Sequence, residues 1–186
     1  MGVIPSPVDP MDATKQWLER AVIGLNLCPF AKAVHVKGQI RYVVSDASTP
    51  EALADDLVRE LEFLAEANAE QIDTTLLIHP RVLQDFLDFN DFLDVADGVV
   101  EELELDGILQ VASFHPQFQF ENTEPDDITN YTNRSPYPTL HLLREDSIER
   151  AVAAFPDELE IAETNIATLE KLGHAGWNAL KIPRAE

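Results

Sequence analysis

The run Thr74-Thr75-Leu76-Leu77-Ile78-His79 limits the fold of this chain more than any other stretch of it. It is short and apolar on both faces of a pleat. A strand of that kind needs cover on both sides, the pattern of a central strand between helices. Pro80 closes it, and the flanking segments supply the cover. Before it, Ser48 or Thr49 can cap a helix, Pro50 suits the first turn, and Ser48 with Glu51 matches a capping box. Leu53, Leu57, Leu61 and Leu64 then form an apolar stripe that fades near Asn68. After it, the spacing predicts a helix from about Val82 to Glu104, with Phe86, Phe89, Leu93 and Ala96 on one face.

Gly38–Ser45 and Gly107–Phe114 read as further strands, and Thr139–Leu143 as a fourth. The expected architecture is α/β (or α+β), a four-stranded mixed sheet with helices packed on it, in one domain over residues 1–186. A first helix is expected from about Asp12 to Leu25, on the stripe Thr14, Trp17, Leu18, Ala21 and Leu25. Cys28-Pro29 stops it, because proline disfavours helix at the residue before it. Ser147–Ala154 and Asp157–Leu172 read as helices split by Pro156, with Gly173 as a C-terminal cap and Trp177 anchoring the tail. Residues 1–11 read as an extended, proline-rich arm. Residues 116–138 hold four prolines and form a long loop, of the length usually reserved for function.

The chain has 186 residues, enough for a self-sufficient core, and 45% of them are hydrophobic. A single cysteine, Cys28, rules out an intrachain disulfide framework and suits a reducing compartment. With 34 acidic and 13 basic residues the formal charge is −21, a field that repels nucleic acid and anionic membrane surfaces. The N-terminal residues carry no basic or apolar leader pattern, and no apolar run approaches the ~20 residues that cross a bilayer. A cytoplasmic location is expected, and the oligomeric state is left open.

Two strands run into the same dipeptide, His79-Pro80 and His115-Pro116. If the strands are parallel, both histidines stand at the C-terminal edge of the sheet, where open α/β folds place ligands. An antiparallel fourth strand is expected to bring His141 back to that edge. Three imidazoles there could hold a divalent metal or form an acid–base pair. Their spacing matches no compact ligand motif, so no metal ligands are assigned. The plainer alternative is that a histidine before proline hydrogen-bonds nearby backbone. The second cluster is Asn133-Arg134-Ser135-Pro136-Tyr137-Pro138, leading to His141 and Arg144. Guanidinium forks suit carboxylate or phosphate, so Arg134 is a candidate anion clamp, with Asn133, Ser135, Tyr137 and Arg144 as further substrate contacts. Arg134 could instead pair with an acid between Glu121 and Asp127. Cys28 follows a helix end rather than a helix start, so the dipole does not activate it and an inert thiol is expected. Glycine-rich phosphate loops, nucleophile elbows, CxxC pairs and HExxH are all absent from the sequence.

Cys28-Pro29-Phe30-Ala31, the stretch from Asp85 to Leu93, Phe114-His115-Pro116-Gln117-Phe118-Gln119-Phe120, Asn133 to Pro138 and His141-Leu142-Leu143-Arg144-Glu145 together resemble the bacterial domain-of-unknown-function family 1415. The resemblance implies a cytosolic single-domain protein and singles out these same motifs, without implying an activity, cofactor or partner. From the residues themselves, the leading expectation is an enzyme acting on a small anionic metabolite by hydrolysis or group transfer. His115 and His141 would be its acid–base groups and Arg134 its clamp. The alternative is a non-catalytic module binding a small ligand or a protein.

Overall fold

The computed structural model describes residues 8–154 and 158–184. In chain order the elements are α1 (Pro10–Trp17), a π-helical segment (Leu18–Ile23), α2 (Ala31–Val36), β1 (Ile40–Val44), α3 (Pro50–Glu66), β2 (Thr74–Ile78), α4 (Phe86–Glu102), β3 (Leu109–Phe114), a 3-10 turn (Ile128–Asn133), β4 (Thr139–Arg144), α5 (Glu145–Ala154) and α6 (Glu158–Ala179). The strands form one sheet in the order β1-β2-β4-β3. β1 and β2 are parallel, and β4 runs antiparallel to both its neighbours. This is the α/β fold with a four-stranded mixed sheet that the sequence pattern predicts. It is a split arrangement, in which β2 and β3 point the same way with β4 threaded between them.

Side chains alternate across a pleat, so the register sorts them into two layers. Val43, Leu77, Leu109, Leu140 and Leu142 face α3 and α4 and make one core. Ile40, Tyr42 and Phe114 face the opposite layer, where they meet Trp17, Leu18, Leu169 and Trp177. The stripe of α3 is fully covered: Leu53, Leu57, Leu61 and Leu64 are each 0% exposed. Burial of each stabilises the fold by roughly 1.5–3 kcal/mol. β2 is buried along its whole length, as a central strand with two covered faces must be.

The local starts and stops differ from the expected ones for identifiable reasons. Thr49, not Ser48, caps α3, its hydroxyl accepting from the Ala52 amide at 3.2 Å. α4 begins later than the apolar spacing suggests because Leu83 is left-handed, with φ 59°. The Asp85 carboxylate then caps the helix, accepting from the Leu87 and Asp88 amides. The first helix widens into π turns after Trp17, a change of hydrogen-bond step that side-chain spacing does not report. Gly24 follows it, where a Cβ would stand 2.2 Å from the Arg20 carbonyl oxygen. The short α2 was not expected. Gly173, with φ 66°, is non-helical and breaks α6 into two helical stretches at the place where the sequence expects a C-terminal cap, and Trp177 beyond it is buried. Most of the expected N-terminal arm (residues 1–7) and the Pro156 break lie outside the described residues.

The α3 stripe is the simplest test of this layering. Leu57→Ala should lower the unfolding free energy by about 2–5 kcal/mol in urea denaturation. Leu87→Ala on α4, where Leu87 is 71% exposed, should change it by under about 0.5 kcal/mol.

Candidate functional site

His79 and His115 leave parallel strands at the same end of the sheet. Their amides donate to Pro138 O and Asn133 O, the segment that leads into β4. Their rings flank Phe89, with centroids at 5.6 and 4.9 Å. His115 is fully buried, and Nδ1 accepts from the Gln117 amide at 3.0 Å. Its proton is therefore on Nε2, which donates to Leu83 O at 3.0 Å. His79 donates from Nδ1 to Val82 O at 3.0 Å, while its Nε2 is buried without a partner. The two imidazoles thus pin the Val82–Leu83 turn, including the left-handed residue. Burial lowers both pKa values, that of His79 to about 4, so both rings are neutral at pH 7.

His141 does not join them, contrary to the expected three-histidine edge. It is the third residue of β4, in register with Leu76 and Ala112, well inside the sheet. Period-two alternation turns it to the layer opposite Leu140 and Leu142. His115 and His141 therefore stand on opposite faces.

The Asn133–Pro138 run is held by its own polar groups. Asn133 Nδ2 donates to Ser113 O, and Ser135 Oγ donates to Tyr137 O. Arg134 pairs with no carboxylate among the described residues. Its Nε and Nη2 donate to Phe118 O and Pro125 O, at 2.9 and 2.5 Å, and its guanidinium lies over Tyr131. Arg144 closes the far end of β4, donating to Ala67 O and Ile72 O. That end is five residue steps from Thr139, about 17 Å, so Arg134 and Arg144 share no pocket.

Two hollows remain. The larger, about 390 Å³, lies on the second face of the sheet, roofed by α5 through Ile148, Ala151 and Val152. Leu76, Phe114 and Leu143 form its floor, and Trp17, Cys28 and Phe30 close one side. Its polar lining is His141 with Asp73, Thr74, Gln110 and Ser147. His141 Nε2 lies 2.8 Å from Thr74 Oγ1, and burial lowers the pKa of the imidazole to about 4. Asp73, at the rim, accepts from Ser147 Oγ. The second hollow, about 290 Å³, lies between the proline-rich loop and the residues from Trp177 to Arg184. Arg134, Lys181 and Arg184 line it with Ser135 and Asn178, and no described acidic residue does. Among the described residues no group of three or more His, Cys, Asp or Glu side chains is placed to hold a metal ion. No described helix is long and apolar enough to cross a membrane.

The neutral state of His79 has a measurable consequence. Its native pKa lies below the unfolded value of about 6.5, so the unfolded chain binds more protons between these values. The associated stability is complete above pH 6.5 and is lost as pH falls toward 4. His79→Asn keeps a donor for Val82 O but cannot titrate. Between pH 7.5 and 5.5 the variant should lose roughly 1 kcal/mol less unfolding free energy than the native protein, measured by urea denaturation at both pH values.

No curated protein and no solved structure matches the chain. The residues on which the family resemblance rests contribute Cys28, Phe30, Phe114, His141 and Leu143 to the larger hollow, and Pro116, Arg134 and Ser135 to the smaller. The family model described as protein of unknown function (DUF1415) matches residues 9–179, and the chain belongs to that family.

Proposed function

We propose that this protein binds a small, largely apolar molecule in the hollow beneath α5, with His141 as its polar anchor. The observation that carries this reading is a space of about 390 Å³ lined mostly by aliphatic and aromatic side chains, with a hydrogen-bonded imidazole among its few polar groups. Sites for small molecules are of this kind, roughly 300–1,000 Å³ and mostly apolar, with few polar groups that orient the ligand. The roof adds support. α5 has an apolar face, yet none of its residues is fully buried, because that face looks onto the hollow. Binding fits this geometry better than turnover. His115, one of the two expected acid–base groups, has both ring nitrogens on backbone partners, and His141 lies across the sheet from it.

A second reading keeps the expected small anion and places it in the smaller hollow. Three cations converge there in a chain that has only 13, and no described carboxylate lines the space. Arg134 is held by two carbonyls and Arg184 by Asn178, so two of the three charges are already positioned. Inorganic phosphate should then raise the melting temperature of the native protein and not that of a Lys181→Gln/Arg184→Gln variant.

The main reading is tested with the neutral fluorophore N-phenyl-1-naphthylamine. It should bind with one-to-one stoichiometry and brighten. Ala151→Trp, which fills the hollow from its roof, should weaken binding at least tenfold while the far-ultraviolet circular dichroism is retained. Equal dye binding by the filled variant contradicts the assignment.

A further inference from the structure

The ligand chemistry follows from one hydroxyl proton. Thr74 Oγ1 donates to Leu142 O at 2.6 Å and also lies 2.8 Å from His141 Nε2. A hydroxyl has a single proton, and here the carbonyl takes it. Oγ1 must therefore accept from the imidazole, which puts the ring proton on Nε2 and a lone pair on Nδ1. Nδ1 is not among the buried polar atoms that lack a partner, and no described residue bonds to it. His141 lines the hollow, and with Nε2 engaged by Thr74 the ring's remaining hydrogen-bonding atom is Nδ1. The anchor therefore offers an acceptor, not a donor.

The walls then select against charge. No described lysine or arginine lines the space, and its one described carboxylate, Asp73, accepts from Ser147 Oγ at 2.6 Å. A carboxylate or phosphate ligand would be desolvated with no counter-charge. An ammonium that reached His141 Nδ1 would exchange its hydration for a single neutral acceptor. We propose that the ligand is uncharged, with an apolar body and one N–H or O–H group that donates to His141 Nδ1. The proposal rests on the hollow beneath α5 being the ligand site, and it excludes the anions expected from the Arg134 motif at this position.

Four probes of one shape separate these properties: naphthalene, 2-naphthol, 2-naphthoate and 2-naphthylmethylammonium, titrated into the full chain and followed by methyl NMR. The expected order has 2-naphthol first, roughly fivefold tighter than naphthalene, the value of one neutral hydrogen bond. The two ions should bind more weakly than naphthalene. In His141→Phe the advantage of 2-naphthol should vanish while naphthalene still binds. The ¹⁵N signal of His141 Nδ1 in the native protein provides a readout that needs no variant, and should move with 2-naphthol and not with naphthalene. Equal binding of 2-naphthol and naphthalene, or an ion as the tightest probe, overturns the proposal and leaves the hollow as a binding site. Binding of none of the four, or undiminished binding by Ala151→Trp, overturns the site itself and the proposal with it.

Discussion

β4 enters the sheet backwards between two parallel strands, and the rest of the molecule depends on that insertion. A strand in this position is buried on both faces, so its alternate residues must satisfy two different layers. Leu140 and Leu142 go to the core under α3 and α4, where both are 0% exposed. His141 and Leu143 go to the other layer and form part of the floor of the hollow. The same insertion brings Pro138 and Asn133 against the ends of β2 and β3, so the histidines there become anchors of the loop and the Val82–Leu83 turn. A one-residue slip of β4 would exchange the two faces, putting an imidazole into an aliphatic core.

Much of the fold was legible because apolar periodicity reports burial directly. The α3 stripe, the doubly covered β2 and the strand–helix alternation all follow from side-chain chemistry spaced at 3.6 or 2. The order of strands was not legible, since it depends on where β4 inserts, and no local pattern encodes that. The π segment and the late start of α4 were hidden for a related reason. They are set by backbone geometry at Leu18–Ile23 and Leu83, and side-chain spacing is nearly the same either way.

The candidate site was legible in its residues and not in its grouping. His115, Arg134 and His141 are each buried or bonded in specific ways, yet they serve three separate places. The plain reading of a histidine before proline, bonding to nearby backbone, describes His115 fully. Arg134 pins the loop, as its alternative role required, but through Phe118 and Pro125 carbonyls and not through an acid. One signal for His141 was present in the sequence. In a doubly covered strand, a histidine between two leucines must face the layer they do not. Thr74, Asp73 and Ser147 gave no such signal, because they reach His141 or the hollow's rim only through strand pairing and the turn from β4 into α5. Lys181 and Arg184 were equally silent, lying in a tail whose placement depends on the kink at Gly173.

We infer that the second face of the sheet carries a ligand site organised by His141, and a crystal structure of the protein grown with 2-naphthol decides it. Density for the ring is expected between Leu76 and Ile148, with its hydroxyl within hydrogen-bond distance of His141 Nδ1. Density against Arg134 and Lys181 instead, or a collapsed hollow with Ile148 packed onto His141, would contradict it.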